Sequence, residues 1–177
     1  MKLEAETTPN RRARALVAFA CAFTALAALA AETSLRIPRR KPLTANVGIV
    51  SVGLDTYWKQ CPGLLEDMVR KEDVFVRKVA AHQVKVSRFG MSDNPAAAKA
   101  MIPAMKAADL DILFVDMVTY ATSSTFAPFV RELNVPIVLF ALQPDDCLDY
   151  ARATIYRQLL NDDLCSVPEF TGVAIRY

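Results

Sequence analysis

Three short segments of this chain concentrate side chains able to hold a small polar molecule. Gly53-Leu54-Asp55-Thr56-Tyr57-Trp58 contains the only tryptophan. Thr119-Tyr120-Ala121-Thr122-Ser123-Ser124-Thr125 is a run of hydroxyls around one aromatic ring. Leu142-Gln143-Pro144-Asp145-Asp146 offers an amide whose direction the following proline fixes. Hydroxyls and amides both donate and accept, and aromatic faces are apolar platforms. That mixture suits the hydroxyls of a polyol better than a phosphate or a metal ion. Tyr57, Thr119, Tyr120 and Gln143 are therefore the candidate binding residues. Each segment also has a plainer reading. Tyr57 and Trp58 can cover a sheet edge, Ser123 and Ser124 can cap a helix, Asp145 and Asp146 can form a solvated turn, and Gln143 can cap a backbone group.

The elements that must position these segments follow from periodicity. Val47–Val52 is a strand closed by Gly53. Val84–Phe89 alternates with period two, which predicts a strand with one face more exposed. Asp111–Asp116 and Pro136–Ala141 are continuous apolar runs, the pattern of strands buried on both faces of a parallel sheet. A helix is predicted from about Gly63 to Ala81, with Leu64, Leu65, Met68, Val69, Val76 and Val79 inward. Another opens at Asn94-Pro95, an N-cap followed by proline in the first turn, with Met101, Met105 and Ala108 on its core face. A third begins near Ser123 and turns Phe126, Val130 and Leu133 inward. Further helices are expected around Ala151–Leu160 and Pro168–Arg176. Alternating strands and helices imply right-handed crossovers. The expected fold is α/β: a three-layer α/β/α, flavodoxin-like or Rossmann-like unit with a parallel sheet in the order 2-1-3-4. A fifth strand would be expected next, so the sheet reads as incomplete at its carboxyl end. In such sheets ligands bind beyond the carboxyl ends of the strands, where the strand order reverses. All three segments lie at such ends.

Composition removes many alternatives. The chain has 177 residues, 53% hydrophobic and 23% charged, enough for one packed domain and too apolar for a disordered one. Its net charge of +2 lies entirely in residues 1–30, which carry four basic and two acidic residues, leaving seventeen of each sign beyond. A neutral body has no electrostatic footprint for nucleic acid. Neither G-x-x-x-x-G-K nor G-x-G-x-x-G occurs, so no phosphate loop is present, and no G-x-S-x-G elbow occurs. The single histidine, His82, stands beside the start of the second strand, away from the ligand end. Asp116 ends a strand as a phospho-acceptor does in a receiver domain, but no acidic pair follows the first strand. Cys61, Cys147 and Cys165 are too widely spaced for a disulfide framework or a zinc ribbon. They read as semi-buried thiols. No residue of the body completes a catalytic or metal site.

The amino terminus reads differently. Arg11, Arg12 and Arg14 precede an Ala-rich apolar run from Ala15 to Ala31, and Ala28-Leu29-Ala30 has the small residues of a cleavage site. This is the pattern of a signal peptide. A run of about 17 residues is also the lower limit for a membrane span, so a signal anchor is the alternative. Cys21 lacks the context of a lipoprotein site. Residues 1–31 are thus expected to be a leader, 32–44 an exposed linker and 45–177 an α/β domain. The leader predicts export or membrane attachment, with a cytoplasmic location if it does not function.

At the three loops the chain resembles the L-arabinose/L-fucose isomerase-like family. The likeness lies in Val50–Trp58 with Gln60 and Pro62-Gly63-Leu64, in Thr119–Thr125, and in Leu142-Gln143-Pro144 followed by Leu148-Asp149-Tyr150. Cys165-Ser166-Val167-Pro168-Glu169 is similar to a later helix start of that group. The resemblance spans roughly residues 45–177. It implies the amino-terminal domain of a metal-dependent aldose–ketose isomerase. Such enzymes assemble as trimers or hexamers, and their amino-terminal loops help close a neighbour's sugar pocket. Tyr57 and Gln143 fall where those loop contacts would be. The glutamates and histidines that bind manganese in that family come from later domains, so no catalytic or metal residue is expected here and Mn2+ is implied only for a full-length enzyme. The family has no leader, which sets the amino terminus apart. A non-enzymatic, exported sugar-binding module is the alternative.

Overall fold

The computed structural model describes residues 44–177. Residues 1–43, on which the expected leader and most of the expected linker fall, lie outside the described residues. Four strands and six helices alternate along the chain: β1 (Asn46–Val52), α1 (Asp55–Gln60), α2 (Leu64–Ala80), β2 (Lys85–Ser92), α3 (Pro95–Ala107), β3 (Ile112–Met117), α4 (Ser123–Glu132), β4 (Ile137–Phe140), α5 (Ile155–Leu160) and α6 (Val167–Arg176). The sheet runs β2-β1-β3-β4 and every pairing is parallel. The three-layer α/β/α architecture and the expected strand order are both found.

Strand alternation divides the core in two. Val50, Val52, Leu113, Val115 and Met117 point to the face covered by α3, α4 and α6, where Met105, Phe126, Phe129 and Phe170 are fully buried. Phe126 and Phe170 stack at 4.6 Å between centroids. The opposite face lies under α2 and α5 and carries a second cluster of Cys61, Leu64, Met68, Val118, Leu159 and Leu160. Phe75 of α2 stacks on Phe140 at 4.0 Å and meets Phe114 edge-on at 5.4 Å. Removing this much apolar surface from water, at about 25 cal/mol per Å2, is the main stabilising contribution.

Local signals set the element ends. Asn94 caps α3 as expected, its side chain accepting from the amides of Ala96 and Ala97 at 3.0 and 2.9 Å, with Pro95 in the first turn. Gly90, at φ +82°, supplies an extra residue in β2, so Ile49 pairs with Arg88 but Ser51 pairs with Met91. That bulge keeps Arg88 and Met91 on the α2 face on either side of it.

Two expectations need correction. The run Pro136–Ala141 predicted a strand buried on both faces, but β4 pairs with β3 alone and Val138 is 37% exposed. It is an edge strand among the described residues, and edge position governs exposure whatever the apolar content. On α2, Val69 was expected inward, yet it is 39% exposed. The buried stripe runs Leu64, Met68, Glu72 at four-residue spacing, so a carboxylate takes the position that an apolar reading assigns elsewhere.

Candidate functional site

The strand order reverses between β1 and β3. From β1 the chain crosses to β2 on one side, then returns past β1 to β3 on the other. The helices following β1 and β3 lie on opposite faces, which opens a crevice at the carboxyl ends of these two strands. Two of the three chemistry-bearing segments meet there. Gly53 follows β1, and a side chain at that position would come within 2.9 Å of Trp58 and 3.2 Å of Thr119 Oγ1. Only a hydrogen at Gly53 leaves room for both neighbours. Trp58 is anchored from its polar edge, Nε1 donating to Asp93 Oδ2 at 2.8 Å.

The four sequence-predicted binding residues are placed unequally. Tyr57, on α1, is half-buried. Its hydroxyl is held above the usual phenol range, first by burial and then by Asp162, Cys165 and Tyr120 nearby. Thr119 is fully buried and donates to the carbonyl of Tyr120 at 3.0 Å. Tyr120 donates its hydroxyl to Glu169 Oε2 at 3.3 Å. Tyr57 and Tyr120 stand near one another at this end of the sheet, while Thr119 is closed to solvent. Gln143 stands apart from them: it is exposed, and its Nε2 donates to the carbonyl of Asn161 at 2.6 Å. It lines a separate groove of about 440 Å3 with Asp145, Tyr150, Asn161 and Asp162. Asp162 borders both places.

The plainer readings are also resolved. Ser123 opens α4, but the cap comes from α6: Glu169 Oε1 accepts from the Ser123 amide at 2.5 Å and from its hydroxyl at 2.6 Å. Three donors on one carboxylate, led by the Ser123 hydroxyl, hold Glu169 below the usual carboxylate range against its partial burial. Asp145 is not a solvated turn residue, since it pairs with Arg157 and accepts from Asn161 Nδ2 at 2.8 Å. His82 is exposed. Cys61 is buried, while Cys147 and Cys165 are exposed free cysteines. The Cys165 sulfur nevertheless turns inward to donate to the Asp162 carbonyl at 2.8 Å, and its thiol is pushed up to about 12, chiefly by burial. A thiol so rarely ionised is no nucleophile at neutral pH.

Sequence reasoning missed a polar cluster beneath the crevice, on the α2 face. Asp116 neighbours Ser51 on β1 and Phe140 on β4. It is fully buried, and neither carboxyl oxygen has a hydrogen-bond partner. A phospho-acceptor must meet solvent and a phosphate donor, so the receiver-like placement of Asp116 is not realised. Glu72 accepts from Ser51 Oγ at 2.8 Å and from Arg88 Nε at 2.9 Å, while Arg88 also reaches Asp73 at 2.7 Å. Lys71 pairs with the fully buried Asp163 at 2.5 Å. Asp116 is pushed up to about 7 by burial, with Lys71 opposing and Asp163 and Glu72 adding to the shift. The signal in the sequence is thin: an acidic residue at the end of an apolar strand, and a Lys-Glu pair inside an otherwise amphipathic helix.

No family model and no curated protein matches this chain. Among the described residues, no group of three or more His, Cys, Asp or Glu is placed to hold a metal ion, and no helix is long and apolar enough to cross a membrane.

Proposed function

We propose that residues 45–177 are the amino-terminal domain of an aldose–ketose isomerase of the L-arabinose/L-fucose type, forming part of a sugar pocket's wall and the contacts between copies. The observation that carries this reading is the meeting of the partly exposed Tyr57 and Tyr120 at the β1/β3 switch point, with the fully buried Thr119 hydroxyl tied to the Tyr120 carbonyl. Their neutral hydroxyls and rings match the hydroxyls and apolar faces of a sugar better than they match an anion. Gln143, one groove away, adds an amide whose carbonyl oxygen is without a hydrogen-bond partner among the described residues. The manganese that the resemblance implies does not fit the described residues, so no step runs through it here. The role of this domain is to bind and exclude water, with the chemistry supplied by residues outside it.

The test is a titration of the full chain with L-arabinose and with L-fucose, followed by backbone amide shifts. Shifts concentrated in Gly53–Trp58 and Thr119–Ser123 support the reading. No saturable shift with either sugar, or shifts confined to the opposite end of the sheet, overturns it. Aldose-to-ketose conversion by this chain alone with added manganese would likewise sink the pocket-wall role.

A further inference from the structure

The charges buried under α2 do not balance. Two cations face this region, Lys71 from α2 and Arg88 from β2. Arg88 is committed to Glu72 and Asp73, and Lys71 to Asp163. Asp116, with both oxygens unpartnered, is the surplus carboxyl, and Oδ2 of Asp163 is also without a partner. From its other neighbours Asp116 meets the Ser51 hydroxyl position on β1 and the apolar Phe140 on β4. An ionised carboxylate buried without a counter-ion is costly, so the group takes up a proton instead.

We propose that Asp116 and Lys71 form a proton-operated latch on the turn between α5 and α6. While Asp116 is protonated, Lys71 belongs to Asp163 and also donates to the Leu160 carbonyl at 3.4 Å, holding that turn on α2. When the proton leaves to solvent water, two buried carboxylates compete for one ammonium. Asp116 is fixed on a strand paired along both edges, whereas Asp163 sits in a short connection after a six-residue helix. The turn is the part that yields. Its release admits water to Asp116 and frees the segment that carries Asp162 and Asn161, the residues bordering the crevice and the Gln143 groove.

The elevated proton affinity of Asp116 puts the transition near neutral pH. The experiment is amide hydrogen exchange on the full chain at about pH 5.5 and about pH 8.5, corrected for intrinsic exchange rates, in the wild type and in Asp116→Asn. Protection across Leu159–Ser166 is expected to fall by about tenfold or more in the wild type while β1 stays protected. In Asp116→Asn, which keeps a neutral side chain of the same shape, protection of the turn should not change with pH. A pH-independent wild type, a fall shared equally by β1, or an undiminished pH response in Asp116→Asn overturns the latch. A carboxyl carbon NMR titration of Asp116 in the wild type keeps the proposal falsifiable if the variant does not fold. A midpoint in the ordinary range near 4 rejects it, and one about two units or more higher supports it.

Discussion

Glu169 shows how much one carboxylate can organise. It reaches from α6 to the first turn of α4, accepts from the Ser123 amide and hydroxyl, and receives the Tyr120 hydroxyl. Replacing it with alanine leaves the α4 amide uncapped and the Tyr120 hydroxyl unheld. Because the side chain is only partly buried, water compensates part of the loss, and the expected cost is about 1 kcal/mol at neutral pH, read from denaturant midpoints. Its folded-state proton affinity is lowered, so this stability is present above the ordinary carboxylate range and is lost as pH falls through it. Equal stability of Glu169→Ala and wild type at pH 7 would show the cap to be inert. Gln143→Leu tests a different quantity. If its amide holds a sugar hydroxyl, the apparent affinity in the sugar titration should drop roughly 5- to 150-fold, from the about 1–3 kcal/mol attached to an unpaired polar group. A lowered melting temperature with unchanged sugar response would instead assign Gln143 to its Asn161 bond alone. The backbone bond of Gln143 is the plainer reading that the sequence offers, but the Glu169 partnerships were not legible there. Ser123 and Glu169 are 46 positions apart, and only the packing of α6 beside α4 brings them together.

At the scale of elements the sequence is far more readable, because strands and helices announce themselves through period and punctuation. Val47–Val52, Asp111–Asp116 and the Asn94-Pro95 start mark β1, β3 and α3 to within a residue or so. The failures have physical causes. The apolar content of β4 says nothing about whether a neighbour covers its outer edge, and Glu72 is buried on α2 because Arg88 and Ser51 satisfy it from other strands. α1 carries no helical signal in the sequence, since six residues are too few for periodicity to show. Its placement depends on Gly53, which offers a direct test. Gly53→Ala would set a methyl 2.9–3.0 Å from the Trp58 ring and 3.2 Å from Thr119 Oγ1. Overpacking of this kind costs about 1–3 kcal/mol. Trp58 is the only fluorophore of its type, so its displacement from Asp93 should also shift the emission maximum. Unchanged emission together with unchanged stability would mean that the ring moves freely and that the crevice is not built as tightly as its geometry indicates.

For the molecule as a whole, two opposed sets of carboxyls predict the shape of its stability against pH. Asp67 is held below its ordinary range, first by the Tyr156 hydroxyl and then by Arg70, and Glu169 is lowered as described. Both stabilise the fold above the ordinary carboxylate range and lose that contribution as acid protonates them. Asp116 has the opposite sign. The folded chain binds its proton more tightly than the unfolded chain does, from an ordinary 3.8 to about 7. Stability is therefore whole below about 4 for this group and falls as pH rises through about 7. If the folded state stayed rigid, the loss would approach on the order of 4 kcal/mol, at 1.36 kcal/mol per unit. Release of the α5–α6 turn lets water reach the carboxylate and caps the global loss lower, at about 1–3 kcal/mol. Melting temperature should accordingly peak in mildly acidic buffer, decline on the acid side through Asp67 and Glu169, and decline on the basic side through Asp116. Asp116→Asn removes only the basic limb, so its advantage over wild type should grow between about pH 5 and about pH 8 and then level off. A wild-type melting temperature that stays flat or rises across that interval would mean that Asp116 carries its charge in the folded state without penalty, with Lys71 shared between two carboxylates rather than assigned to one.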